Sequence, residues 1–287
     1  MDIVFDPVTI VEVGPRDGLQ NEPKTIKLDE KVRLINLLST SGLKQIEVGS
    51  FVNPKMVPQM ADSGLVFSKI TRRPGISYSA LVPNLNGYEQ AKKCSPDAIA
   101  IFCSASESFS KANLNASIDE SFTRISQFIS LAKKDDILVR GYVSCVTDCP
   151  FEGPVPASNV AKVVAKLREF NCYEISLGDT LGKGSPGAVD KMIDNVLNEV
   201  SVEVLAGHFH DTSGLALENI QVSLERGIRV FDTAVGGLGG CPFAPGAPGN
   251  VATELVLKYV QGKGFKTGVN MEIIMQAAKL ARDMRHV

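Results

Sequence analysis

The chain has 287 residues, 44% of them apolar, 22% charged and none tryptophan, with a net charge of −2 at pH 7. That length suits one α/β barrel or two ordinary domains. The slight acidity argues against a nucleic-acid or membrane-surface partner, which would need an excess of cations.

In chain order, the N-terminal run Met1-Asp2-Ile3-Val4-Phe5-Asp6-Pro7 has neither the basic start nor the apolar core of a signal peptide. No stretch reaches the roughly 20 apolar residues of a membrane helix, so a cytoplasmic protein is expected. Strands are expected at Val8–Val13, Gln45–Val48, Ile76–Val82, Ala98–Phe102, Leu138–Cys145, Tyr173–Leu177, Glu203–His208 and Val230–Ala234. Most are continuous apolar runs, the pattern of strands covered on both faces. Helical patterns separate them. Lys31–Leu43 carries Val32, Ile35 and Leu38; Ser117 and Glu120 form a capping box before Phe122, Ile125 and Ile129. Val160, Val163, Val164 and Leu167 form a core-facing stripe, and Ser185-Pro186 places an N-cap before a proline at the first helical position. A last helix, Met271–Arg285, is extra to the alternation. Eight strand–helix units without a linker predict a single-domain (β/α)8 barrel over 1–287, with an additional C-terminal helix from about 268 to 287. A doubly wound open sheet is the alternative.

The six cysteines, Cys94, Cys103, Cys145, Cys149, Cys172 and Cys241, lack framework spacing and read as reduced thiols. Cys145-x3-Cys149 has no second pair to close a structural zinc site, so both are expected to be packing residues. Neither the loop after the eighth strand nor Gly182-Lys183-Gly184-Ser185 ends in the Gly-Lys-Ser/Thr of a phosphate-binding loop.

Barrel active sites lie at the carboxyl ends of the strands, and this chain concentrates its polar residues there. The first strand runs into Gly14-Pro15-Arg16-Asp17-Gly18-Leu19-Gln20-Asn21-Glu22. The second contains Glu47, the fifth Tyr142, and the sixth ends at Asp179-Thr180. The eighth runs into a Gly/Pro-rich loop from Gly236 to Asn250 that contains Cys241 and suits opening and closing over a ligand. The seventh delivers Gly207-His208-Phe209-His210-Asp211-Thr212, two of the three histidines in the chain. Residues i and i+2 of a strand share a face, so both imidazoles project together, as metal ligands do. Singly, each has a bland explanation: Asp17-Gly18 as a turn, Arg16 in a surface ion pair, Glu47 as an arginine's partner, the histidines as a hydrogen-bonded pair.

Six motifs together resemble the 3-hydroxy-3-methylglutaryl-CoA lyase family over nearly the full length and in order. They are Glu12-Val13-Gly14-Pro15-Arg16-Asp17-Gly18-Leu19-Gln20-Asn21-Glu22; Ile46-Glu47-Val48 with Ser50-Phe51-Val52; Arg140-Gly141-Tyr142-Val143-Ser144-Cys145; Ser176-Leu177-Gly178-Asp179-Thr180; His208-x-His210-Asp211-Thr212; and Gly237-Leu238-Gly239-Gly240-Cys241-Pro242. The resemblance implies divalent-metal-dependent cleavage of the CoA thioester to acetoacetate and acetyl-CoA, with Mg²⁺ or Mn²⁺ as cofactor. It also implies a homodimer, and a setting in leucine breakdown or ketone-body formation that the residues themselves do not specify. Carried over by position, Asp17, His208, His210 and Asn250 match the metal ligands, and Arg16 and Cys241 the catalytic residues. Glu47, Tyr142 and Asp179 match polar pocket residues. The resemblance further implies that Asp17, Glu47, Asp179 and His208 join Arg16 and Cys241 in the catalytic group, and that Arg16, Gln20 and Tyr142 bind substrate. Pro245, Pro248, Met56 and Leu255 depart from the family's usual residues, which bears on loop dynamics and substrate preference. The rivals are an acyl-CoA-dependent condensing synthase, a 2-oxo-acid aldolase on the same barrel, and a non-catalytic metal-binding barrel. Asp211-Thr212 and Cys241 favour the lyase over the synthase.

Overall fold

A computed structural model of the protein describes residues 7–241 and 244–286, without the side chains of 240–248 and 286. Eight parallel strands close into a barrel in which every strand pairs with its sequence neighbours and the eighth returns to the first. The strands are β1 (Thr9–Glu12), β2 (Gln45–Ser50), β3 (Ser77–Leu81), β4 (Ala98–Ser104), β5 (Leu138–Ser144), β6 (Glu174–Asp179), β7 (Leu205–Phe209) and β8 (Val230–Thr233). This is the expected barrel; the open sheet is ruled out by the pairing of β1 with β8, Thr9 against Val230 through Glu12 against Thr233.

The helices are α1 (Leu28–Leu38), α2 (Ser63–Lys69), α3 (Leu85–Lys92), α4 (Glu107–Leu114), α5 (Ile118–Lys134), α6 (Ala157–Glu169), α7 (Pro186–Val196), α8 (Ala216–Glu225), α9 (Thr253–Gly262) and α10 (Met271–His286). The capping box forms as expected: Glu120 N–H donates to Ser117 Oγ, and Ser117 N–H donates to the Glu120 carboxylate at 2.7 Å. Ser185 Oγ likewise accepts from Ala188 N–H ahead of Pro186. On α6 the buried stripe is Val160, Val163, Val164 and Leu167.

Strand ends shift by one or two residues from expectation, and three further differences stand out. Helix α1 begins at Leu28 rather than Lys31, because Glu30 reaches back to Lys27 N–H and caps an earlier turn. It ends at Leu38 because Gly42 must turn sharply: its φ is +93°, and a Cβ there would lie 2.2 Å from Gly268 O. The seventh strand starts at Leu205, since Val202–Val204 form a short turn of 3₁₀ helix. An additional helix, α4, precedes α5 in the fourth unit. Ser106 caps it, accepting from Phe109 N–H, and Asn115 ends it in the left-handed region.

Helix α10 packs against α1, α9 and the turn Val235–Gly237 at the carboxyl end of β8. Cys145 and Cys149 are buried, as expected of packing residues. Among the described residues, no helix is long and apolar enough to cross a membrane.

Candidate metal centre and active site

The site begins one residue beyond β1. Val13 O accepts from the N–H groups of Asp17 (2.7 Å) and Gly18 (3.2 Å), closing a wide turn over Gly14–Gly18. Such π-type turns re-aim the chain at functional sites, and this one directs Arg16 and Asp17 over the barrel mouth. Glycine at 18 is required by packing, since a Cβ would sit 2.6 Å from Leu238 Cβ in the loop after β8.

Arg16 is buried and held from two sides. Its Nε donates to Glu47 Oε2 at 2.6 Å, and Nη1 donates to Asp17 Oδ1. Glu47 reaches it because β2 carries a bulge: Glu47 pairs with Ser79 and Gly49 with Ala80, leaving Val48 unpaired. The Arg16 guanidinium also lies 5.5 Å from the Tyr142 ring centroid, and Tyr142 Oη is 3.4 Å from Glu47 Oε2. Burial opposes the guanidinium charge, but Glu47 and Asp17 outweigh it and raise its proton affinity. Burial raises the Glu47 carboxyl despite Arg16, and raises the Tyr142 phenol, leaving a neutral donor.

His208 and His210 do share a face, with ring centroids 5.3 Å apart. His210 lies just past β7, where its backbone bridges to Asn250 and Asp211 N–H donates to Gly249 O. That bridge delivers Asn250 to the mouth. Ligand atoms of Asp17, His208 and His210 lie within 4.8 Å of one another; His208 Nε2 is 4.0 Å from Asp17 Oδ2. Burial favours the neutral Asp17 carboxyl, but Arg16 and the histidines prevail and hold it at about 2. Burial, reinforced by His208, lowers His210 to about 4, so its ring is neutral at physiological pH.

These residues fit a hard divalent cation. A carboxylate oxygen and two imidazoles converge, and His210 Nδ1 is buried without a hydrogen bond of ordinary geometry among the described residues. Asn250 is adjacent, but its Nδ2 points at Asp17 Oδ2 (2.8 Å) and Leu238 O (3.4 Å). To offer an oxygen its amide must turn over about a soft terminal torsion.

The other expected residues are distributed as follows. Gln20 donates to Asp17 Oδ1 at 3.3 Å and so abuts the cluster. Asp179 ends β6 with its oxygens engaged by Thr147 Oγ1 (2.9 Å) and Gly184 N–H (2.9 Å), and burial raises its carboxyl. Cys241 lies in a short antiparallel ribbon, Gly240–Cys241 with Ala244–Pro248, instead of an open loop. Its side chain is outside the described residues.

Two participants were not anticipated in their roles. Asp232, at the middle of β8, contacts His208 Nδ1 at 3.1 Å. Arg140, on β5, grips Asp232. The available signal was an aspartate and an arginine inside apolar strand runs, where an unpaired charge is costly.

The family model described as HMGL-like matches residues 7–281. A relative from Pseudomonas aeruginosa, a 3-hydroxy-3-isohexenylglutaryl-CoA/hydroxymethylglutaryl-CoA lyase, is 52% identical over 272 residues, 95% of this chain and 91% of its own. The crystal structure of the HMG-CoA lyase from Brucella melitensis superposes with a TM-score of 0.97 at 50% identity, covering 99% of this chain and 100% of that one. An HMG-CoA lyase from Acinetobacter baumannii in complex with coenzyme A and 3-methylmalate has a TM-score of 0.93 at 37% identity, covering 98% and 92%. With its Arg-Asp turn and paired histidines at the mouth of a closed barrel, this chain belongs to the HMG-CoA lyase family.

Proposed function

We propose that this protein cleaves 3-hydroxy-3-methylglutaryl-CoA to acetoacetate and acetyl-CoA, with residues 1–287 working as one catalytic unit. The observation that carries this reading is the convergence of Asp17, His208 and His210 within 4.8 Å, beside a buried, doubly anchored Arg16. Asp17, His208, His210 and Asn250 would hold Mg²⁺ or Mn²⁺, which when bound supplies Lewis acidity toward substrate oxygens.

The chain's own residues supply the rest. Breaking the carbon–carbon bond turns the tertiary alcohol into the ketone of acetoacetate and leaves the electron pair on the thioester as an enolate. Arg16 is a permanent cation whose Nε and Nη1 are committed to Glu47 and Asp17, so the guanidinium is oriented before substrate arrives. Preorganised charge of this kind stabilises an oxyanion as it develops. Tyr142 and Gln20 border the guanidinium and Asp17 and would orient the acyl chain. Asp179, at the carboxyl end of β6 with its oxygens now held by Thr147 and Gly184, would take the hydroxyl proton and later release it once one of those contacts opens. Cys241 would protonate the enolate carbon, completing acetyl-CoA.

Incubating the Mg²⁺- or Mn²⁺-loaded protein with the thioester and assaying both products tests the proposal. Equimolar acetoacetate and acetyl-CoA are expected. No cleavage, together with CoA release from acetyl-CoA and a 2-oxo acid, would instead indicate a condensing synthase. The isohexenyl homologue belongs in the same assay, because a relative's name includes that substrate. A homodimer working in the cytoplasm completes the proposal; sedimentation velocity and cell fractionation test these two points.

A further inference from the structure

Beneath the mouth lies a layer of buried polar side chains centred on Asp232. Its Oδ2 receives Ser176 Oγ at 2.7 Å and Arg140 Nη1 at 3.2 Å, and lies 3.1 Å from His208 Nδ1. Its Oδ1 receives Arg140 Nη2 at 2.8 Å. Arg140 Nε in turn donates to Glu174 at 2.6 Å, and its guanidinium lies 4.9 Å from the Tyr142 ring centroid. Asp232, Arg140 and Ser176 are all at most 2% exposed. An ion pair buried this deeply adds little stability over apolar packing of equal volume, so its retention beneath the site calls for another reason.

The reason lies in the His208 ring. A neutral imidazole carries one proton, on Nδ1 or on Nε2, and only the bare nitrogen can bind a cation. Two carboxylates compete for that proton: Asp17 Oδ2 is 4.0 Å from Nε2, while Asp232 Oδ2 is 3.1 Å from Nδ1. If Asp17 won, the proton would sit between the histidine and the carboxylate and block the centre. We infer that Asp232 is a positioning residue that holds the proton of His208 on Nδ1 and so presents a bare Nε2 to the metal centre. Arg140 makes the arrangement one-directional, because its fork engages both oxygens and fixes the carboxylate plane. The inference rests on the metal-site reading proposed above.

Asp232→Asn separates the idea from a merely structural role. Arg140 can only donate, and its shorter contact is at Oδ1 (2.8 Å against 3.2 Å at Oδ2), whereas Ser176 Oγ and His208 Nδ1 at Oδ2 can each turn from donor to acceptor, which favours keeping the amide oxygen at Oδ1. The amide NH₂ then occupies the position of Oδ2 and donates to His208 Nδ1. The ring proton is thereby driven to Nε2, the wrong tautomer for ligation. The experiment uses ¹⁵N-histidine-labelled metal-free protein at alkaline pH, where imidazoles are neutral, and calorimetric titration with Mn²⁺ alone. With three histidines in the chain, the ring resonances are few enough to assign by substitution. Expected are an Nδ1–H tautomer for His208 in the parent, an Nε2–H tautomer in Asp232→Asn, and a roughly 10- to 100-fold loss of Mn²⁺ affinity. Parent protein with the proton on Nε2 overturns the inference even if the variant fails to fold. So does an unchanged tautomer or an unchanged affinity in a folded variant. Failure to cleave the thioester would refute the proposed reaction but leave both of these readouts intact.

Discussion

Glu12 offers a test in which replacing a buried charged residue should stabilise the protein. Its carboxyl ends β1 fully buried. Oε1 accepts from Gly14 N–H and Val235 N–H, both at 2.9 Å, and Oε2 accepts from Thr253 Oγ1 at 2.7 Å. The residue thus ties the turn bearing Arg16 and Asp17 to the turn after β8 and to the start of α9. Burial raises its proton affinity from the ordinary 4.5 to about 7, with those three donors pulling the other way. The difference corresponds to about 3 kcal/mol. Because the folded-state value lies above the unfolded one, the stabilising contribution of the protonated form is complete below about pH 4.5. It is lost as pH rises and levels off above about pH 7. Glu12→Gln keeps the oxygen that accepts both backbone donors and presents an NH₂ to Thr253, whose hydroxyl already pairs with Thr233 Oγ1 at 2.7 Å. Only the ionisation is removed. Urea unfolding of the two metal-free proteins, followed by far-ultraviolet circular dichroism, should therefore agree within about 1 kcal/mol at pH 5. At pH 8 the glutamine protein should be the more stable by about 2–3 kcal/mol. Other titrating groups are common to both proteins and cancel in the difference. Unfolding midpoints that move in parallel from pH 5 to pH 8 would refute the argument.

Arg16→Gln should reduce turnover roughly 100- to 1,000-fold while calorimetric Mn²⁺ affinity changes only a few-fold; near-normal turnover would dismiss its role on the enolate. His210→Ala or Asp17→Ala removes a proposed ligand and should weaken Mn²⁺ binding at least roughly 10-fold, read by the same titration. An unchanged isotherm in either variant places the ion elsewhere. Cys241→Ser should retain thioester binding, followed by equilibrium dialysis of a non-cleavable analogue, while slowing cleavage roughly 100-fold or more. Equal rates would make the thiol a bystander.

The parts of the site carried by local spacing were legible in the sequence, and the parts made by closure of the barrel were not. His208 and His210 are two residues apart, so strand geometry alone puts their rings together. Arg16 and Asp17 leave a strand at its carboxyl end, which places them at the mouth once eight strand–helix units are recognised. Their partners come from far along the chain: Glu47 reaches Arg16 across a bulge that no pattern in Ile46-Glu47-Val48-Gly49 announces. Asp232 meets Arg140 from 92 positions away, and Glu12 meets Thr253 from 241. Strand ends drifted for the same reason. Seen alone, Ser50, Ser104 and Asp179 read as loop residues, yet parallel neighbours extend the ladders through them. Even the charged residues inside strands follow a rule that a single sequence states only in part. An isolated aspartate in Val230-Phe231-Asp232-Thr233 looks like a fault in an apolar run. It becomes intelligible when the barrel supplies a guanidinium for one side and an imidazole for the other. In this fold the surplus polar residue within a strand is therefore the clue to pursue, because burial without a partner would be prohibitive. The partner, once found, leads directly to the ring of His208 at the barrel mouth.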